Sequence, residues 1–321
     1  MQQYIARRLL QGVFTAVLVS LLIFLLMRVA PGDVAMAIAV DMNSGEEAMV
    51  TEEQLEKIRK SLGLHDPIHL QYIKWAGGFL VGDWGKSLFS GRQVFDEFKQ
   101  RLPVTVELSI LSVFLSTVMG IPAGIYMALK QDRWTDYLLR IWSLAGLSVP
   151  NFWLATMFVV AGLYMFNWIP PLGYVSFFDN PIQNLQQFIP PALILGYSSM
   201  AVKARMMRST MLEVMRQDYI RTAHAKGLKY WVVIYHHAMK NAFIPVLTVI
   251  GISIAFIMGG TVIIERIFTL LGEGDYLIRG MNDRDYPIVQ SLVLFFAMWI
   301  VLVNIVIDLM YGWIDPRIRF S

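Results

Sequence analysis

Few side chains in this sequence are spaced for covalent chemistry. Gly85-Lys86-Ser87 has the ending of a phosphate-binding loop, but that loop needs a further glycine five residues before Gly85, and Leu80 stands there. His65 and His69 are four apart, yet Pro67 between them disfavours the regular helix that would present both to a metal. His236 and His237 are adjacent, so a helix points them in different directions. The chain has no cysteine, which excludes disulfides, thiolate metal sites and a cysteine nucleophile. Ser148 and Asn151 flank Pro150 within an apolar run and read as groups that satisfy the backbone or line a path. A membrane enzyme would need a buried nucleophile–base pair, and none is visible. No catalytic residue, no metal ligand and no cofactor site is assigned to this chain.

The charged groups nearest to apolar runs are Glu107, Arg140 and Asp308. Each stands near the end of such a run, within snorkelling reach of an interface. A proton- or sodium-coupled carrier needs a charged group at mid-depth. None is evident, so an ion-coupled secondary transporter or channel is kept only as the alternative.

The most informative chemistry is non-covalent and lies in residues 203–242. Asp218 to Leu228 is a short helix-like stretch, and Gly227 is placed for a left-handed helix end. Tyr219, Ile220, Leu228, Tyr230 and Trp231 supply apolar anchors, and Arg221, Lys226 and Lys229 supply positive charge. Ala223 and Ala225 are small enough to let a partner surface come close. On physical grounds two readings stand side by side. The segment is a basic loop that fixes topology, or a docking helix that transmits movement from a cytoplasmic motor.

The elements that must position this segment are set by composition. Of 321 residues, 56% are apolar, 16% are charged, and the mean hydropathy is +0.53. Soluble domains carry about a quarter charged residues, so lipid must be part of this chain's solvent. A bilayer core of about 30 Å takes roughly 20 apolar residues as helix. Leu9 to Met27, Val104 to Leu129, Ile141 to Trp168, Phe243 to Ile264 and Ile288 to Met310 meet that length. Ile189 to Val202 is shorter and carries Ser198 and Ser199.

Charge decides whether that weaker segment counts. With it, both termini, residues 130–136 and residues 203–240 fall on one side. That side then gathers Arg7, Arg8, Lys130, Arg133, Lys203, Arg205, Arg208, Arg216, Arg221, Lys226, Lys229, Lys240, Arg317 and Arg319. Positive loops stay in the cytoplasm, so the expectation is an all-α protein of six transmembrane helices with both ends cytoplasmic. Residues 28–102 form an outside insertion in a single membrane domain spanning 1–321, and 203–242 form a cytoplasmic loop. Arg7, Arg8 and Ala35-Met36-Ala37 imitate a signal peptide, but the apolar run exceeds the roughly 7–15 residues of one, so the first span is expected to be retained. Within the insertion, Thr51 and Gln54 form a capping-box pattern before a helix with Leu55, Ile58 and Leu62 on one face and Gly63 at its end. Trp75, Phe79 and Trp84 among Gly77, Gly78, Gly82 and Gly85 suit a cap folded at the membrane surface; a docking surface for an outside partner is the other reading. Pro122 and Pro150 sit inside the second and third spans.

The 218–228 stretch resembles the coupling motif of binding-protein-dependent ABC importer permeases. The general motif is Glu-Ala-Ala, three residues, Gly, nine residues, then Ile-x-Leu-Pro. Anchored on Gly227, its first part falls on Arg221, Thr222 and Ala223 and its last on His237, Ala238, Met239 and Lys240, so only Ala223 and Gly227 agree. The peptide-transporter branch is similar nearly residue for residue over Asp218 to Leu228, and its His-Ala-x-basic-Asn-Ala pattern is met by His237 to Ala242. Pro31-Gly32-Asp33, Gly82 to Ser87, Gly120 to Gly124, Arg208 to Val214, Asp285 to Gln290 and Asp315-Pro316-Arg317 resemble the same branch in the same order. The chain is identified as resembling the first of the two permease subunits of dipeptide/oligopeptide/nickel-type systems.

That resemblance implies a type I ABC importer permease in the prokaryotic inner membrane, with ATP hydrolysis on other subunits. It implies a second, related permease, two ATP-binding-cassette ATPases that hold ATP and Mg, an extracytoplasmic binding protein, and no nucleic acid. Coupling to the ATPase falls on Tyr219, Ile220, Arg221, Thr222, Ala223, His224, Ala225, Lys226, Gly227 and Leu228. Arg221 replaces the acid of the general motif, so Gly227 and the apolar anchors must carry more of the docking. The cargo class follows the family, peptides first, with nickel, glutathione and sugars among related systems; substrate-binding residues are not assigned.

Overall fold

Apolar runs this long can satisfy their own backbone groups only as helices or closed barrels, and the chain takes the helical route. The computed structural model describes residues 2–29, 36, 39–40, 51–61 and 65–314. Pro31-Gly32-Asp33, Ala35, Ala37, Leu62-Gly63 and Asp315-Pro316-Arg317 lie outside the described residues, as does the side chain of Ile58. The helices are α1 Gln2–Val29, α2 Glu52–Ser61, α3 Ile68–Leu80, α4 Val94–Leu129, α5 Trp134–Ser148, α6 Asn151–Phe166, α7 Pro181–Met215, α8 Asp218–Ala225, α9 Tyr230–Ile267, α10 Glu273–Asn282 and α11 Tyr286–Ile314. Among the described residues there is no β-strand, only an isolated antiparallel bridge between Lys86 and Gln93.

Length and apolarity together qualify α1, α4, α9 and α11 as membrane spans. The segment 141–168, expected as one helix, is two. α5 and α6 meet at a bend of 100°. Pro150 has no N–H to give and forces the residue before it out of the helical region; Val149 lies at φ −93°, ψ 124° and Pro150 at φ −63°, ψ 136°. Counted as one broken span, the pair is a fifth candidate. Pro122, by contrast, lies inside α4 without a break. The segment 189–202 lies within α7, which at 35 residues is long enough to span but not apolar enough to qualify by composition. Its polarity has a local cause. Asn184, Gln187 and Lys203 of α7 are buried in protein, and the side-chain nitrogen of each donates a hydrogen bond to another part of the chain.

By contacts the chain divides into two compact units. The first holds residues 1–103 and 272–321. In it α1 packs on α11, with Arg8 Nη1 2.9 Å from Asp308, and on α3, where Ser20 meets the Tyr72 hydroxyl at 2.8 Å. The capping box of α2 forms: the Thr51 N–H donates to Gln54 Oε1 at 3.0 Å and the Gln54 N–H to Thr51 Oγ1 at 3.3 Å. Trp84 stacks on Phe79 at 4.7 Å and touches Phe98 at 4.5 Å in an apolar core with Val94, Tyr276, Leu277, Ile288 and Leu292. Two of the family-like stretches meet there. The Ser87 hydroxyl donates to Asp285 Oδ2 at 2.6 Å, and the Leu88 N–H does so at 3.0 Å.

The second unit is residues 104–271, with α7 against α5, α6 and α9. Gly124 lets α4 approach α7 closely; a Cβ there would lie 2.4 Å from the Ala204 carbonyl oxygen. The Lys203 ammonium donates to Ser116 Oγ of α4 at 2.6 Å. At the opposite end the Glu107 carboxylate takes Asn184 Nδ2 at 2.6 Å and the Tyr174 hydroxyl at 2.9 Å. Burial first, and then that carboxylate, push the Tyr174 phenol up to about 12. Glu107, Arg140 and Asp308 therefore have protein partners, where the sequence left them only an interface to reach.

Candidate functional site

Residues 203–242 are helical along most of their length and do not form a loop. α7 runs to Met215, α8 follows after a turn at Arg216-Gln217, and α9 starts at Tyr230. α8 forms where the sequence placed it, and its end has a defined geometry. The Gly227 N–H donates to the His224 carbonyl at 2.9 Å and the Leu228 N–H reaches the Ala223 carbonyl at 3.4 Å. This is the paired closure of a Schellman end, which needs a left-handed residue, and Gly227 sits at φ +75°.

Burial divides the ten residues assigned here. Ile220 is 3% exposed and Ala223 6%. They pack into a core with Met207 and Met211 of α7 and Val233, Ile234, Ala238 and Ala242 of α9. Neither side chain is open to a partner, so the close approach expected of Ala223 is made by this chain's own helices. Tyr219, Arg221, Thr222, His224, Ala225, Lys226, Gly227 and Leu228 are exposed. Asn241 Nδ2 donates to the Tyr219 hydroxyl at 2.9 Å, a second tie between α8 and α9. Thr210 Oγ1 of α7 lies 3.0 Å from the Ala242 carbonyl.

Four stretches far apart in sequence therefore converge on this core: Gly120 to Gly124, through Ile121, then Arg208 to Val214, Asp218 to Leu228 and His237 to Ala242. The sequence did not single out Thr210 or Asn241 as joints, although both stood in stretches that carried the resemblance.

Beside α8 runs an exposed aromatic ladder. The His224 and Tyr230 rings stack at 6.4 Å, Tyr230 meets Trp231 edge to face at 5.5 Å, and Trp231 stacks on Tyr235 at 5.8 Å. Tyr235 was missed in the sequence; its i,i+4 spacing from Trp231 was the available signal. The last ring of the ladder, Tyr235, lies on a π-helical turn at Val233–Ala238, a rare widening that occurs preferentially at functional positions. Arg216, Arg221, Lys226 and Lys229 of the same segment are exposed, and Asp218 offsets Arg221 at 3.3 Å. The arrangement holds no nucleophile–base pair. Among the described residues no three His, Asp or Glu side chains come near enough to hold a metal ion. What the surface can do is bind: α8, pinned to two long helices, and the start of α9 together present aromatic rings and cations, residue types found at the energetic centres of protein interfaces.

Residues 120–320 match the family model described as a binding-protein-dependent transport system inner membrane component. Residues 1–109 match the N-terminal model of the same membrane components. Across 99% of both chains the sequence is 38% identical to a probable peptide ABC transporter permease protein of Sinorhizobium fredii. Over the full length of both it is 37% identical to a dipeptide transport system permease protein of Alkalihalophilus pseudofirmus and 35% to a glutathione transport system permease protein of Escherichia coli K12. The chain thus belongs to the inner membrane components of binding-protein-dependent transport systems, as a multi-pass ABC permease subunit.

Proposed function

We propose that this chain forms one half of a translocation path for di- or oligopeptides and that a cytoplasmic ATPase docks on the exposed face of α8 and its aromatic ladder. The observation that carries the reading is the two-sidedness of α8. One side is locked into α7 and α9 by Ile220 and Ala223, and the other presents Tyr219, Lys226 and Leu228. A push on the exposed side is passed to α7 and α9 as a rigid-body movement. ATP and Mg reside on two partner ATPases. A second, related permease completes the path, and an extracytoplasmic binding protein delivers cargo to residues 28–102, 167–188 and 266–287. Both termini and α8 face the cytoplasm of a prokaryote, with α7 as the sixth span. Peptides are favoured as cargo because the relatives compared are named for peptide, dipeptide and glutathione transport.

The test is ATP-driven uptake of a labelled dipeptide by the reconstituted transporter carrying Gly227→Asp. A Cβ at Gly227 meets nothing within 4 Å, so the new side chain makes no clash, and recovery of the assembled variant from the membrane is measured alongside uptake. It strains the left-handed turn and adds an anion at the negative end of the helix dipole. The expected result is ATP hydrolysis that no longer drives uptake. Normal uptake removes α8 from the coupling role. Uptake that persists in wild type without ATP supports the ion-coupled alternative instead.

A further inference from the structure

A cavity of about 650 Å³ lies between α5 and α7, apart from the docking surface. Arg140, Arg205 and Arg208 line it together with Leu144, Val202 and Met206. Chain direction gives the cavity a polarity gradient. On α5, Arg140 is one turn nearer than Leu144 to the basic end of the helix. On α7, Arg205 and Arg208 are nearer than Val202 to the same end.

The charges in it do not cancel. Asp136 is fully buried and holds Arg208 in a two-pronged pair, Nε to Oδ1 at 3.0 Å and Nη2 to Oδ2 at 2.9 Å. Arg140 Nη2 stands 3.3 Å from the same Oδ2 without the alignment of a hydrogen bond. Its other acid, Asp132, is exposed and 3.9 Å away. Arg205 is exposed and has no ion pair or hydrogen bond among the described residues. One buried carboxylate is thus shared by two guanidinium groups, with a third guanidinium beside them.

We propose that this cavity seats the headgroup of an anionic phospholipid, its phosphate against Arg205 and the outer edges of Arg140 and Arg208 and its acyl chain along Leu144 and Val202. Guanidinium groups match phosphate oxygens in geometry and charge. Basic pockets between membrane helices at the cytoplasmic side take such headgroups. The apolar wall selects an amphiphile over a soluble anion. The proposal rests on the membrane placement given under the proposed function.

The test uses the intact transporter in mild detergent, incubated with phosphatidylglycerol or phosphatidylcholine of identical acyl chains, with bound lipid counted by native mass spectrometry. The expected result is preferential retention of phosphatidylglycerol. Arg205→Gln leaves the Asp136 pairs untouched and should weaken that retention about fivefold, the equivalent of one surface arginine, and Arg205→Lys should restore most of it. Equal retention of the two lipids, or no change in Arg205→Gln, overturns the proposal. Displacement by millimolar inorganic phosphate reassigns the cavity to a soluble anion, and loss of the second permease from Arg205→Gln reassigns it to a subunit interface; either outcome overturns it too. Dipeptide uptake by the same preparations separates the two readings. Coupled uptake without lipid preference removes only the lipid site, and lipid preference without ATPase partners removes only the coupling role.

Discussion

At Gly124 the space between α4 and α7 is decided by a single hydrogen atom. A methyl group there would lie 2.4 Å from the Ala204 carbonyl oxygen and 2.6 Å from Met207 Cβ, both fixed by their own helix. Gly124→Leu is expected to destabilise the protein by about 3 kcal/mol or more, seen as a lowered melting temperature in detergent and poor recovery from the membrane. Asp285 tests a different residue-scale effect. Burial is the largest influence on its carboxyl and holds its pKa above the usual range, even though Ser87 and the Leu88 N–H pull the other way. A raised folded-state pKa means that the folded state binds the proton more tightly than the unfolded chain does. The stability linked to this group is therefore complete below the ordinary carboxylate pKa and is lost as pH rises through the raised one. Hydrogen exchange at the Leu88 amide, corrected for its intrinsic pH dependence, should show protection falling as pH rises above the ordinary carboxylate range, and Asp285→Asn should flatten that dependence. An unchanged slope in the variant would assign the effect to other carboxylates.

At the scale of the element, α8 separates anchoring from docking. Truncating an inward side chain should cost stability, and truncating an outward one should cost association. Ile220→Ala opens the core shared by α7, α8 and α9 and is expected to destabilise by about 2–4 kcal/mol. Trp231, in the first turn of α9 beside α8, is 58% exposed, so Trp231→Ala should leave the melting temperature nearly unchanged. It should weaken retention of the ATPase on the purified complex by about 30-fold if the ring is an interface anchor worth about 2 kcal/mol. Reversed outcomes for the two variants would place the ATPase elsewhere. The bent pair α5–α6 shows the same logic in the backbone. The proline at 150 stands at a 100° break between two helices, and the one at 122 lies inside a continuous helix, so proline alone does not fix where a span breaks.

For the whole molecule, the measurable quantity is which side each segment faces. The chain has no cysteine, so single introduced cysteines report without background. Phe178→Cys, on a ring 93% exposed, should react with a membrane-impermeant maleimide in intact spheroplasts. Lys229→Cys, beside α8, should react only after the membrane is opened. Labelling of both positions from the same side would remove α7 as a span and reverse the placement of α8.

Composition and charge placement alone determined that this chain lives in lipid, that it is helical, and that its basic 203–242 segment is the place to look. Those properties depend on sums over many residues, which tolerate local error. The left-handed end at Gly227 and the capping box at Thr51 were also legible, because each is set within a few neighbouring residues. Tertiary structure decided the rest. The inward turn of Ile220 and Ala223, the joints made by Thr210 and Asn241, and the pairing of Ser87 with Asp285 all depend on residues far away along the chain. The polarity of α7 left only 189–202 of it visible as an apolar run, because Asn184 and Lys203 find partners in α4 that hydropathy along the chain does not register. Arg205 could be named from the sequence as one more positive charge; only packing gave it a cavity to line and left it without a partner among the described residues.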